Sequence, residues 1–217
     1  MKSLPGYFEN IKNKTYLDRY PESIIRVNDL KDKIFIEFGG GLGNDIVWLL
    51  NKRFNPKYIF FIENDDVIYN KVTKKLKKFG AYSGHLLFRD AKKTGLRENL
   101  ADFVYANNML HCLETKNNVI AVLKEAMRIL HNGGVVFGRT LLDEVDRQKL
   151  QDISNPKNEE EKFALMTAKA LEEDILIGFS ENELKELARN VGFRKLYTEL
   201  KPWKWKPTTD FYFRFEK

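Results

Sequence analysis

From about Lys33 onward, short apolar runs alternate with longer stretches in which apolar residues return every three or four positions. The runs Ile34–Phe38, Tyr58–Ile62, His85–Phe88, Asp102–Tyr105 and Val135–Arg139 are too short for stable helices and almost continuously apolar. That pattern predicts strands of a parallel sheet with both faces covered. Between them, Asp45–Lys52 reads as a helix that follows a glycine-rich turn directly. Asp66–Phe79 carries Val67, Ile68, Val72, Leu76 and Phe79 at helical spacing, with lysines on the remaining face. Asn118–Leu130 is amphipathic, and Asn132-Gly133-Gly134 after it predicts a glycine-supported helix end. Ser180-Glu181-Asn182-Glu183 spells a capping box, opening a helix that runs to Asn190 and stops at Gly192. Lys195–Leu200 and Asp210–Phe215 read as a closing strand pair joined by the loop KPWKWKPTT. Strands alternating with helices in this way predict an α/β domain built on a mainly parallel sheet.

Two stretches stand outside the alternation. Residues 1–30 precede the first strand and contain Tyr7, Phe8, Tyr16 and Tyr20. Residues 143–176 are charged, yet Phe163, Leu165, Met166, Leu171, Ile175 and Leu176 mark one apolar helical face. A chain of 217 residues fits one domain, 1–217, with the first stretch as a cap and the second as a helical insertion. The net charge of +6 is explained by a lysine-rich solvated surface, although a nucleic-acid or membrane-surface partner would leave the same mark. The single cysteine, Cys112, excludes an intrachain disulfide and a cysteine-rich zinc site, and no metal site is expected. No secretory leader opens the chain and no apolar run reaches bilayer-spanning length, so a cytoplasmic protein is expected.

The segment that carries chemistry is IFIEFGGGLGND, residues 34–45. A strand delivers Glu37, glycines stand at 39, 41 and 43, and a helix begins at once. Glycines allow a tight turn and a close backbone approach to a ligand, while the helix start presents unpaired amides. A dinucleotide fingerprint would require GxGxxG, but counting from Gly39 and Gly41 the last position is Asn44. The residues spell ExGxGxG instead.

This pattern resembles motif I of the class I S-adenosylmethionine (SAM)-dependent methyltransferases, and further segments follow in that family's order. FFIEND places Glu63 at the end of the second strand. Phe88-Arg89-Asp90-Ala91 ends the third, ADFVYANNMLHCL supplies the fourth and its loop, and HNGGVVFGRTLL resembles the glycine turn and fifth strand. The resemblance implies a Rossmann-like, seven-stranded, mainly parallel sheet with helices on both faces and an antiparallel C-terminal strand. It implies SAM as cofactor, with S-adenosylhomocysteine (SAH) as product. Glu37, Gly39, Gly41 and Gly43 would then face the methionine end, Glu63 the ribose hydroxyls, Asp90 and Ala91 the adenine, and Asn107 with Asn108 the methionine moiety. A solvated strand-end acid would look the same as Glu63, and loop acids are common where Asp90 stands.

Methyl transfer from a sulfonium is a direct displacement that needs alignment and water exclusion more than it needs proton transfer. His111 is the candidate general base, and a satisfied core histidine is the alternative. Cys112 reads as a small core residue. The expected acceptor is a small, partly apolar molecule covered by residues 1–30 and 143–176. Nucleic acid or protein is the competing acceptor class, through Trp203, Trp205 and the lysines around them. A SAM-binding protein without turnover is the third reading.

Overall fold

The computed structural model describes residues 15–142, 165–166, 169–170, 173, 176–202 and 209–217. One sheet runs through it, formed by β1 (Phe35–Phe38), β2 (Ile59–Glu63), β3 (Leu86–Phe88), β4 (Ala101–Asn107), β5 (Leu130–Leu141), β6 (Lys195–Pro202) and β7 (Thr209–Glu216). Their spatial order is β3-β2-β1-β4-β5-β7-β6. The first five strands pair in parallel, and β7 enters antiparallel between β5 and β6. Among the described residues the sheet is flanked by α1 (Asn44–Asn51), α2 (Asp66–Lys78), α3 (Lys116–Ile129) and α4 (Glu181–Val191).

Alternation along each strand sends side chains to two separate cores. Ile36, Phe38, Val104, Val136, Phe211, Phe213 and Phe215 join Val119, Leu123, Leu184 and Ala188 on the face covered by α3 and α4. Phe35, Tyr105, Val135, Phe137 and Tyr212 face the other way, against Ile46, Leu49, Val72 and Leu76 of α1 and α2. Leu17, Tyr20, Ile24 and Leu30 complete that second core, so the part of the N-terminal stretch from Thr15 is packed against the sheet. Arg214 on β7 also donates to the Ile24 carbonyl, at 3.0 Å.

Several boundaries differ from the sequence expectation, each for a local reason. α3 ends at Ile129, and its C-cap Leu130 is already extended. Asn132, Gly133 and Gly134 therefore belong to an irregular stretch of β5, where the β4–β5 register jumps from Ala101↔Leu130 to Phe103↔Val135. The positive φ of Gly133 serves that irregularity and not a helix end. At α4 the Ser180 hydroxyl accepts from the Glu183 amide, 3.2 Å away, as a cap requires. The Glu183 carboxylate, however, pairs with Lys116, so the reciprocal half of the box is replaced by a tie to α3. Most of the insertion 143–176, with Phe163, Leu171 and Ile175, lies outside the described residues, as do Trp203 and Trp205. Leu165, Met166, Lys169 and Ala170 are helical, and Ala170 and Leu176 are buried. No described helix is long and apolar enough to cross a membrane.

At the opposite end of the sheet from the strand C-termini, Asp102 bonds the Ile34 amide at 2.8 Å and the His131 ring at 3.0 Å. Burial alone would raise the Asp102 pKa, but His131, the Ile34 amide and Lys33 hold it below the ordinary value. The bond to Asp102 and the Asn132 carbonyl raise that of His131. A raised histidine pKa stabilises the fold fully below about pH 6.5 and is lost as pH climbs through the folded value. Replacing His131 with Asn is therefore expected to narrow the difference in urea midpoint between about pH 5.5 and about pH 8.5. An unchanged difference would show that the contact is thermodynamically silent.

Candidate functional site

The strand order reverses between β1 and β4, and crevices at the C-terminal edge of such a switch point are where open α/β sheets bind ligands. In space that edge carries, across β3, β2, β1 and β4, Asp90 with Ala91, then Glu63, then the turn 39–43, then Asn107. All the expected cofactor residues thus lie along four adjacent strand ends.

Gly39, Gly41 and Gly43 all have positive φ, at 59°, 49° and 63°. The space at the turn is as restrictive as its dihedrals. A Cβ on Gly43 would stand 2.8 Å from Val72 of α2, and one on Gly39 would stand 2.9 Å from Met109. Gly40 was not singled out by the motif, yet a Cβ there would meet the Phe61 ring at 2.3 Å and Glu37 Oε2 at 2.9 Å. The run of three glycines is the signal that marks it.

The turn is held by neighbouring strands and helices. The Ile62 carbonyl accepts from the amides of Gly39 and Gly40, at 2.9 and 3.3 Å. Glu63 Oε2 accepts from the Gly41 amide at 3.0 Å, while its Oε1 accepts from Asn64 and Asp65 at 2.9 and 3.1 Å. Glu63 is buried, contrary to an exposed strand-end acid, because these three amides surround it. Glu37 is buried as well, and its Oε2 has no hydrogen-bond partner. Burial first, then the nearby acids Asp45 and Glu63, push its pKa well above the ordinary carboxylate value. Glu63 and α2 both hold the turn.

Asp90 is partly exposed and closes its own short turn, accepting from the Lys92 amide at 2.8 Å. Ala91 beside it is buried. Asn107 Oδ1 accepts from the Tyr20 hydroxyl at 2.9 Å. Asn108 takes a left-handed backbone, which Asn tolerates, and its Oδ1 accepts from Arg139 Nε at 3.1 Å.

Arg139 and Asp45 organise this end of the sheet, and neither stood out in the sequence. Arg139 is 8% exposed, donates to Asp210 at 2.8 Å and lies 4.3 Å from the centre of the Tyr16 ring. Burial opposes its charge, but Asp210 and the surrounding tyrosines raise its pKa, so it remains a cation. Asp45, near the start of α1, accepts from the Tyr16 and Leu17 amides and from the Tyr105 hydroxyl, at 2.7, 3.2 and 2.9 Å. Burial raises its pKa, and those same bonds oppose the shift. Together the two residues fasten the N-terminal segment above the switch point.

The expectation of a general base at His111 meets a ring that is completely buried, with Nδ1 3.3 Å from Thr140 Oγ1. Burial, aided by Arg139, pushes its pKa down to about 3, so the ring is neutral and a poor proton acceptor at neutral pH. Burial pushes the Cys112 thiol up to about 12, which leaves no thiolate to react and agrees with a packing role. No group of acidic, histidine or cysteine side chains suited to a metal ion occurs among the described residues.

Comparison with known proteins agrees with this geometry. The methyltransferase domain family matches residues 13–198. A SAM-dependent methyltransferase of Thermotoga maritima, named as a possible histamine N-methyltransferase, superposes with a TM-score of 0.62 at 20% identity, covering 99% of this chain and 100% of its own. A SAM-dependent methyltransferase of Aquifex aeolicus gives 0.63 at 15% identity, with both chains covered in full. One from Methanosarcina mazei gives 0.61 at 14%, over 91% of this chain and 97% of its own. No curated protein matches the chain by sequence.

Asp45→Ala removes an acceptor from three donors, two of them backbone amides of the N-terminal segment. It is expected to cost about 2–4 kcal/mol in urea denaturation. Limited proteolysis should also cut faster before residue 30 in this variant. Wild-type stability and wild-type cleavage would show that the segment is held by its apolar contacts alone.

Proposed function

The chain belongs to the methyltransferase domain family, as a class I SAM-dependent methyltransferase, and on that premise we propose that it methylates a small, partly apolar acceptor seated beside Asn107 and Asn108. The methionine end of SAM lies on the turn formed by Gly39, Gly41 and Gly43, above Glu37. Glu63, which already accepts from three amides, keeps lone-pair room on Oε2 for a ribose hydroxyl, and Asp90 with Ala91 borders the adenine. Asn107 flanks the methionine moiety from β4.

The observation that carries this reading is the unpartnered, buried Oε2 of Glu37 directly beneath the turn. A buried carboxylate without a partner is costly, and Asp45 and Glu63 add to the negative charge around it. A ligand that brings a cationic group onto the turn would offset that negative charge, and SAM brings an ammonium and a sulfonium. When bound, SAM would supply a methyl group on a positively charged sulfur, with the C–S bond breaking as the acceptor lone pair bonds the methyl carbon and SAH leaving with a neutral sulfur. The work left to this chain is to bind, orient and exclude water.

Beside Asn107 the N-terminal segment is packed closely against the sheet. Tyr20 packs edge-on against Tyr105, Phe137 and Tyr212, at centroid distances of 5.7, 5.7 and 5.0 Å, and its hydroxyl reaches Asn107. These four rings are buried in the core on that face of the sheet, so they fix the N-terminal segment beside Asn107 rather than offer open ring surface. With His111 neutral and buried, the acceptor must present a lone pair that needs no strong base, such as an uncharged amine. The small amine in the name of the Thermotoga maritima protein agrees with that requirement.

SAH is expected to raise the melting temperature and NAD to leave it unchanged. Glu63→Ala should weaken SAH by about 1–3 kcal/mol in calorimetry, the range for hydrogen bonds to a charged group. Unchanged affinity in a folded variant would remove Glu63 from the ribose site. Transfer of labelled methyl from SAM, tested on small amines, phenols and thiols beside structured RNA, is expected to label a small molecule. Label on RNA alone would replace the proposed acceptor class.

A further inference from the structure

The lysines of α2 read as one solvated face, but the structure divides them. Lys71, Lys74, Lys77 and Lys78 are exposed, whereas Lys75 is partly buried and points at the glycine turn. Helical spacing explains the exception. Positions 72, 75 and 76 share one face, and Val72 and Leu76 on that face already press against the turn, 2.8 and 3.0 Å from where a Gly43 Cβ would be. Lys75 lays its aliphatic stem along the same contact and delivers its ammonium group to the far side of the turn. There it donates to the Leu42 carbonyl at 3.0 Å and to Asn44 Oδ1 at 2.7 Å.

Those two acceptors flank the left-handed Gly43. Fixing the Leu42 carbonyl sets the plane of the Leu42–Gly43 peptide, which the following glycine would otherwise leave free to flip. Fixing the Asn44 side chain holds it to the rear of α1, whose N-cap, Gly43, makes no side-chain cap bond. Glu63 and the Ile62 carbonyl secure the first half of the turn, at Gly39, Gly40 and Gly41. The Gly43 amide is held within the turn, donating to the Gly40 carbonyl at 2.8 Å, and Lys75 secures the second half from outside. Its charge also lies close enough to Glu37 to favour the ionised form of that acid.

We infer that Lys75 is a positioning residue for the cofactor, holding the second half of the glycine turn from behind in the conformation that receives SAM. This rests on the reading of the turn as the SAM site. Lys75 touches no ligand in this arrangement. Its contribution is preorganisation: without it the turn orders only when the cofactor arrives, and that ordering is subtracted from affinity.

The test is isothermal titration of the full-length chain with SAH, using Lys75→Met, Lys75→Arg and Glu63→Ala, with unliganded melting temperatures recorded alongside. Lys75→Met is expected to weaken SAH roughly tenfold, as loss of two charge-assisted bonds implies. Lys75→Arg, which keeps donors and charge, should stay within about threefold of wild type. Rescue by Arg, with unliganded stability close to wild type in both variants, separates positioning from general support of the fold. If Lys75→Met does not fold, Lys75→Gln takes its place with the same expectation. Wild-type affinity in Lys75→Met, or in Lys75→Gln, together with weakened binding in Glu63→Ala overturns the role of Lys75 and leaves the cofactor site standing. Equal weakening by Met and Arg also overturns it, because bulk rather than donation would then be at work. Wild-type affinity in every variant overturns the placement of the site, and the inference falls with it.

Discussion

The turn after β1 is glycine at every position from 39 to 43 except Leu42, so it has little of its own to hold itself with, and most of what surrounds it compensates for that lack. Three of its residues have positive φ, and a Cβ at Gly39, Gly40 or Gly43 would collide with Met109, Phe61 or Val72. Such a backbone can approach a ligand closely, but it costs conformational entropy to order. The ordering comes from parts of the chain brought in by the parallel sheet. The end of β2 supplies the Ile62 carbonyl and Glu63, α2 supplies Val72 and Lys75, and the loop after β4 supplies Met109. Parallel pairing of β1 with both β2 and β4 is what places these three sources around one turn.

Charge at the same edge follows from that packing. Glu37, Asp45 and Glu63 are all buried within one small region, and Glu37 keeps an oxygen without a partner. Asp45 and Glu63 add to burial in raising the Glu37 pKa, and acids gathered in this way favour a nearby positive charge. A short distance along the edge, Arg139 is matched by Asp210, Asn108 and the face of Tyr16. The two regions differ in purpose. The first leaves a buried carboxylate oxygen without a partner, and the second is closed on itself, as a fastening must be. Asp45 joins them, since it starts α1 and also holds Tyr16 and Leu17.

Most of the strands and helices were legible from periodicity, because burial on both faces of a parallel sheet leaves a continuous apolar run. The family pattern located Glu37, Gly39, Gly41, Gly43, Glu63, Asp90, Ala91 and Asn107, and all of them lie on the four strand ends at the switch point. Misreadings arose where one residue type serves two purposes. Gly133 is equally at home after a helix and in an irregular strand, and the early extension of Leu130 decided for the strand. Glu183 had the spacing of a capping-box acid, yet a lysine on α3 competes for it. His111 had the position of a base, and only its complete burial beside Arg139 showed a ring that stays neutral.

What the sequence determined by itself is therefore what depends on neighbours along the chain. Period two or 3.6, a glycine turn between strand and helix, and acids at strand ends are all local patterns, and they sufficed for the fold class and the cofactor motif. What only the tertiary structure decided depends on partners far apart in sequence. Lys75 reaches 33 residues back to Leu42, Asp45 reaches 28 and 29 back to Leu17 and Tyr16, and Arg139 reaches 71 ahead to Asp210. A lysine on a helix or an aspartate at its start carries no mark that tells solvent from partner. The difference lies in whether a neighbouring element brings a carbonyl, an amide or an opposite charge within about 3 Å, and that is settled only when the sheet has formed.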